Sequence, residues 1–172
     1  MIIMSAVILF KKDVKEKLKK LFDKFSEEYS YEWASEEKED LLSTLYYLDN
    51  IYHILDLSSY IEYEINSVKD FKEIIEETLE DLSTFENKRY EDLIYEMENK
   101  LGKEFVFIFE KCVESWKPFS IIATVLVSPL ENNDIFRENL LPFYILSESD
   151  NNEDRISLKE LIKFLEEEKK KK

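Results

Sequence analysis

Acidic side chains are the most abundant candidates for chemistry in this chain, and their spacing would place several of them on one surface. Asp and Glu total 39 against 24 Lys and Arg, which gives a formal net charge of −15 at pH 7. Residues 32–104 contain 7 basic and 21 acidic residues and therefore hold a net charge of −14. Such a field attracts basic partners and repels the phosphates of nucleic acids and membranes. The acids predicted to form one electronegative binding face are Glu36, Glu37, Glu39, Asp40, Glu73, Glu76, Glu77, Glu80 and Asp81.

Aromatic residues in the same part of the chain are candidates for the same interface. Tyrosine and tryptophan supply a large contact area at a small entropic cost, and Trp33, Tyr46 and Tyr47 lie close to the acids in sequence. We take these three as partner-binding residues. Packing in the core is the alternative for the aromatics, and a solvated surface that keeps the protein soluble is the alternative for the acids.

A metal-dependent hydrolase or nuclease is the main alternative function, because acids at strand ends can hold Mg²⁺ and orient a water molecule. Nucleases of this kind separate their second acid and their lysine by one residue, so that both point to one face of a strand. Here Glu110 and Lys111 are adjacent and would point to opposite faces. The sequence therefore favours a protein that is not an enzyme. The acids that a metal-dependent enzyme would use are Glu104, Glu110, Glu131 and Asp134.

Other cofactor chemistry finds little support in the residue types. Cys112 is the only cysteine and His53 the only histidine, so one chain cannot form a disulfide or a Cys and His zinc site. Gly102 is the only glycine, which excludes the glycine-rich loops that hold nucleotide phosphates. We expect no catalytic residue, no metal and no cofactor.

The elements that must position the acids begin with a strand and two helices. The apolar run 2–10 predicts a strand buried on both faces. Residues 13–29 have the apolar period of an amphipathic helix, and 30–35 are predicted as a break that contains Trp33. Ser35, followed by acids, resembles the start of a second helix that continues to about residue 57.

The middle of the chain is predicted to be mostly helical. Residues 61–65 fit both a strand and a helix, and the helix is slightly favoured. Ser67 is placed to cap a helix that ends near residue 83. Another helix is expected from about residue 87 to 101, where Gly102 would end it.

The last third of the chain supplies the remaining predicted strands. Residues 104–110 are favoured as a buried strand over a continuing helix on propensity grounds. Strands are also predicted at 121–127 and 140–146, and Pro142 suggests an edge or a bulge in the second. Residues 132–139 and 147–155 are expected to be mobile loops, and Ser157 is placed to cap the last helix.

These elements predict a helix-rich α+β fold whose small sheet is built from N-terminal and C-terminal strands; an all-α bundle is the alternative. We expect residues 1–172 to form a single globular domain, with 166–172 frayed. The apolar runs are too short to cross a bilayer and resemble no secretory signal, so the expected location is cytoplasmic.

The predicted function is a regulator or inhibitor that binds a protein partner with a basic surface, such as a nucleic-acid-binding protein. We expect no direct contact with nucleic acid or membrane. A structural subunit that self-associates through the strand at 2–10 or 121–127 is a further alternative. Viral inhibitors often share this acidic composition, and the absence of Gln suits a thermophile such as an archaeon or an A/T-rich genome.

Overall fold

Strands from both ends of the chain meet in one small sheet that packs against helices. The computed structural model describes residues 6–54, 62–83, 127, 129–147 and 154–171, together with positions 91, 95, 98, 99, 103 and 106. These residues form several helices and one four-stranded sheet. A helix-rich α+β fold is therefore confirmed, and the all-α alternative is wrong. Within these residues the elements are β1 (Ala6–Lys11), α1 (Asp13–Glu28), α2 (Tyr31–Ile54), β2 (Tyr63–Ile65), α3 (Val68–Ser83), a π-helical turn (Phe136–Leu140), β3 (Phe143–Ser147), β4 (Arg155–Ser157) and α4 (Leu158–Lys170).

The sheet has the strand order β2-β3-β1-β4, and every neighbouring pair is antiparallel. Phe10 in β1 lies between Phe143 of β3 and Ile156 of β4, and all three side chains are buried. On the opposite face Val7 is half-buried and Lys11 is exposed. The predicted first strand is confirmed from residue 6 onward, but burial on both faces holds for only part of it. Residues 2–5 lie outside the described residues.

The segment 61–65 contains a strand, so the slight preference for a helix was wrong. Glu62 has a φ of 66°, a left-handed conformation that a right-handed helix cannot contain. The next three residues of β2 pair with 143–145 of β3. The alternation of side chains along the sequence was the correct signal, and the pairing with β3 decides the conformation.

The second helix begins at Tyr31, four residues before the predicted start. Ser30 is its N-cap: the Ser30 Oγ accepts a hydrogen bond from the Trp33 backbone N–H at 3.4 Å. Trp33 therefore lies in the first helical turn and not in a break. The prediction that Ser35 begins this helix is wrong, because Ser30 already satisfies a free N–H at the helix start.

The segment before β3 is helical, so the predicted mobile loop at 132–139 is also wrong. The Asn133 side chain accepts a hydrogen bond from the Phe136 backbone N–H at 3.0 Å and caps the helical segment that begins at Asp134 and runs into the π-helical turn. Pro142 precedes β3, an internal strand, so the interpretation as an edge or a bulge is wrong. The strand prediction itself is confirmed from residue 143. Of the predicted loop 147–155, Ser147 ends β3 and Arg155 begins β4, while 148–153 lie outside the described residues.

Two apolar runs predicted as strands are helical where the structure describes them. Val106 is the described residue of the run 104–110 and Val127 that of 121–127, and both are helical and buried. The strand predictions are wrong at these positions, and the other residues of both runs lie outside the described residues. Positions 91, 95, 98 and 99 are helical, as predicted for residues 87–101, whereas Gly102 is not among the described residues.

One hydrophobic core connects the sheet to the helices. The Phe143 ring lies 5.7 Å from the ring of Phe10, 5.5 Å from that of Phe71 in α3 and 6.1 Å from that of Phe136, measured between centroids. Helices α1, α2 and α4 pack against one another, and the helix α4 continues through residues 166–170. Among the described residues, no helix has both the length and the apolar character needed to cross a membrane.

Candidate functional site

The acids proposed from the sequence lie on two helices that have different neighbours. Helix α2 carries Glu36, Glu39 and Asp40, which are exposed, and Glu37, which is half-buried. It packs against α1 and α4, whereas α3 packs beside β2. We therefore describe an α2 group and an α3 group separately. The α3 group contains Glu73 and Glu77, which are exposed, and Glu76, Glu80 and Asp81, whose side chains lie outside the described part of the structure.

Two acids of the α2 group border a concave surface, which we call the acidic cleft. The cleft has a volume of about 490 Å³ and lies between α2 and the segment 129–135. Glu37 and Asp40, one helical turn apart on α2, line it together with Asp134 from the other side. Three carboxylates from two distant parts of the sequence therefore border one cleft. Leu41, Pro129 and Ile135 supply its apolar walls.

Hydrogen bonds hold the two sides of the acidic cleft together. The Asn133 side-chain amide donates to the Thr44 hydroxyl oxygen at 2.9 Å, and the Thr44 hydroxyl donates to the Asp40 carbonyl oxygen at 3.0 Å. Thr44 is buried, and both residues line the cleft. The oxygen of the same Asn133 amide accepts the Phe136 N–H at the start of the helical segment from residue 134. One side chain therefore fixes both this segment and its attachment to α2.

The carboxylates near the cleft differ in how far they are neutralised. Asp134 lies 4.0 Å from the guanidinium of Arg137, and both side chains are exposed, so this pair contributes little. Glu39 forms an ion pair with Lys169 of α4 and does not line the cleft. The negative charge of the cleft therefore comes from Glu37, Asp40 and the weakly paired Asp134.

Acids of α3 act electrostatically on a tyrosine of the neighbouring strand. Burial raises the pKa of Tyr63 above its ordinary value of 10.0, and the carboxylates of Asp70, Glu73 and Glu77 raise it further. The charges of these three acids therefore disfavour the ionised form of one phenol. Asp70 also accepts a hydrogen bond from the Asn66 backbone N–H at 3.3 Å, so it helps to begin α3 as well.

The three aromatic candidates do not form one patch. Trp33 is 64% exposed and lies next to Tyr29, with 6.5 Å between ring centroids. Tyr46 lies 13 positions further along α2, about 20 Å along a helix axis, and its hydroxyl donates to the Glu166 carboxylate of α4. Tyr47 is half-buried and packs against the core. Trp33 alone of the three presents most of its ring to solvent.

The acids considered for metal binding are not brought together in the part of the chain that the structure describes. No group of three or more His, Cys, Asp or Glu side chains there could hold a metal ion. Glu131 is half-buried and Asp134 is exposed at the acidic cleft. Glu104, Glu110 and Cys112, like the His53 side chain, lie outside the described residues.

Sequence reasoning missed the residues that build the cleft wall, Thr44 and Asn133. The pair Asn132 and Asn133 before Ile135 and Phe136 is a helix-start signal, and it would have identified the helical segment. Comparison of the chain with protein-family models, with curated proteins and with solved structures gives no match.

Proposed function

We propose that this protein binds a partner protein with a basic surface and acts as its regulator or inhibitor. The observation that carries the proposal is the acidic cleft, in which Glu37, Asp40 and Asp134 border one concave surface. A concave site restricts which shapes can approach its charges, and a flat acidic surface does not. The cleft therefore offers selectivity in addition to attraction.

The lining of the cleft suits a lysine or arginine side chain. Carboxylates form charge-assisted hydrogen bonds with ammonium and guanidinium groups, and these are stronger than neutral ones. Leu41, Pro129 and Ile135 line the same surface and would pack against the aliphatic stem of such a side chain. An anionic ligand would meet three carboxylates and is disfavoured.

The wider charge distribution favours a partner whose basic surface serves nucleic acid. Residues 32–104 carry a net charge of −14, and such a field accelerates the approach of a basic protein. It repels nucleic-acid phosphates at the same time. A protein of this kind inhibits by covering the surface that its partner uses for nucleic acid.

The test compares two variants with equal change of charge. The cleft variant combines Glu37→Gln, Asp40→Asn and Asp134→Asn; the control combines Glu16→Gln, Glu27→Gln and Glu28→Gln, at exposed positions of α1. Partners are captured from a lysate of the source cells at low salt, eluted at high salt and identified by mass spectrometry. The most abundant protein in the eluate is then titrated against each variant.

We expect the captured partner to be a basic nucleic-acid-binding protein. The control variant should bind it normally, and the cleft variant should bind it at least about tenfold more weakly. The loss of one charge-assisted hydrogen bond is sufficient for this difference. Binding should weaken as salt rises. Equal affinities of the two variants, or binding that salt leaves unchanged, would show that the acidic cleft is not the interface.

A further inference from the structure

A second cavity carries the opposite charge. It has a volume of about 570 Å³ and is lined by Lys38, Lys169, Lys170 and Lys171, together with Ser26 and Tyr31. These residues come from α1, α2 and the C-terminal end of α4. We call it the lysine cavity. Four lysines around one cavity are unusual in a protein whose net charge is −15.

Lys38 is the most unusual of these residues because it is buried. Its side chain is 8% exposed, and its ammonium donates to the Ser26 hydroxyl oxygen at 2.7 Å. The Phe22 ring centroid lies 5.7 Å from the same nitrogen. Among the described residues, no carboxylate lies within ion-pair distance of Lys38. An ammonium has three N–H donors, and Lys38 uses one of them in the hydrogen bond to Ser26. Lys38 also lines the lysine cavity, where a ligand would offer acceptors to the other donors.

The other lysines are only partly neutralised. Lys169 forms an ion pair with Glu39, and Lys171 pairs with Glu168 at 2.9 Å. The hydrogen bond to Glu168 raises the pKa of Lys171, with further contributions from the charges of Glu168, Glu167 and Asp23. Lys170, like Lys38, has no carboxylate at ion-pair distance within the described residues. Two of the four positive charges at the cavity therefore lack a direct counter-charge there.

Burying a charge without a counter-charge is costly, and an anion in the cavity would remove that cost. Phosphate suits the site best, because lysine binds it as a point charge and because several lysines can share its multiple negative charge. The volume of about 570 Å³ lies in the range of small-molecule sites, roughly 300–1,000 Å³. Tyr31, 82% exposed, adds an aromatic ring to the lining.

We propose that the lysine cavity binds the phosphate group of a small molecule, with the buried Lys38 as its central contact and Lys170 as a second one. This site is separate from the acidic cleft and requires the opposite charge in its ligand. Phosphate binding here and protein binding at the acidic cleft are therefore tested with different ligands and different variants.

The test titrates the full chain with inorganic pyrophosphate by calorimetry at constant ionic strength. We expect one saturable site per chain and a rise in Tm with pyrophosphate, since ligand binding stabilises the folded state. Lys38→Met should weaken binding by about tenfold or more, which corresponds to one hydrogen bond between charged groups. Lys163→Met, at an exposed position of the same helix as Lys170, makes the same change of charge and should bind normally.

A second variant keeps the test decisive if Lys38→Met perturbs the fold, which circular dichroism and Tm would report. Lys170→Ser replaces an exposed lysine and should weaken binding severalfold without a change in Tm. If the lysines serve only to offset the negative C-terminal dipoles of α1 and α4, pyrophosphate will show no saturable binding. That result, or equal binding by the Lys38→Met and Lys163→Met variants, would overturn the proposal.

Discussion

Two adjacent tyrosines in α2 share one property for different physical reasons. Tyr46 is 39% exposed, and a hydrogen bond to the Glu166 carboxylate, followed by burial and the Glu166 charge, raises its pKa to about 12. Burial alone raises the pKa of Tyr47 to about 12. In both cases the environment favours the neutral phenol, by a carboxylate in the first and by the apolar core in the second.

These shifts predict how stability depends on alkaline pH. In the unfolded chain both tyrosines ionise near their ordinary pKa of 10.0, while the folded protein retains both protons until about pH 12. Above pH 10 the folded state therefore binds more protons than the unfolded state, and stability falls as pH rises. We expect the contribution of these two tyrosines to the free energy of unfolding, measured by urea titrations, to be constant below about pH 9 and to decrease between about pH 10 and 12.

A pair of conservative variants separates the two causes. Tyr46→Phe removes the phenol that contacts Glu166 and should reduce the alkaline loss of stability. Tyr31→Phe, at a ring that is 82% exposed, should leave this loss unchanged. A Tyr46→Phe protein with the full alkaline loss would mean that the contact with Glu166 does not hold the phenol neutral.

At the scale of elements, the start of α2 provides a direct comparison between two serines. Ser30 accepts the Trp33 N–H at 3.4 Å and its carbonyl accepts the Ala34 N–H at 2.9 Å, whereas Ser35 lies inside the helix. Replacing an N-cap serine by alanine costs about 1 kcal/mol, while alanine is favourable in a helix interior. Ser30→Ala should therefore lower the free energy of unfolding by roughly 0.5–2 kcal/mol, as measured by urea denaturation.

Ser35→Ala is the matched control and should leave stability unchanged or slightly higher, since alanine has the better helix propensity by up to about 0.7 kcal/mol. If Ser35→Ala destabilised the protein more than Ser30→Ala, the helix would begin at Ser35, as the sequence predicted. The Trp33 fluorescence of the Ser30→Ala protein would also report whether the first turn loosens.

Three helices with local signals were predicted well. Ser67 and Ser157 cap the helices that follow them, with hydrogen bonds from the Asp70 N–H at 3.1 Å and the Glu160 N–H at 3.2 Å. The apolar period of residues 13–29 matches α1 closely. In each case the residues that determine the element lie within a few positions of each other.

Several other segments were predicted poorly because their conformation depends on distant partners or has no visible period. Whether 63–65 is a strand depends on β3, about 80 residues later. Val106 and Val127 lie in apolar runs that have no polar face to reveal a period. The same limit applies to the sites: Lys38 lies between Glu37 and Glu39 in an acidic run, and only the packing of α2 against α1 buries it beside Ser26.

At the scale of the whole molecule, net charge opposes folding. The ion pairs Lys17 with Asp13 at 3.4 Å and Arg137 with Asp134 at 4.0 Å join exposed side chains, and each such pair contributes at most about 1 kcal/mol. Against them stands the mutual repulsion of a chain with a net charge of −15, which is released when the chain expands. Salt screens both effects, but the excess of one sign makes repulsion the larger one.

We therefore expect added salt to stabilise this protein. Raising KCl from about 10 to 150 mM shortens the screening length from about 30 to 8 Å, and the Tm should rise by roughly 2–4 °C, equivalent to about 1 kcal/mol for a chain of this size. Glu73 and Glu77 lie four residues apart on α3, a spacing at which like charges on a helix repel each other. The double variant Glu73→Gln, Glu77→Gln should have a higher Tm at low salt and a smaller rise with KCl.

The control for this variant is Glu27→Gln, Glu28→Gln, which makes the same change of charge within residues 1–31, a segment of net charge +2. Because these two acids lie in a segment whose net charge is positive, their removal relieves less repulsion and should change the salt dependence less. Differential scanning calorimetry at a series of KCl concentrations gives both slopes. A Tm that falls with KCl would mean that ion pairs outweigh repulsion in this protein.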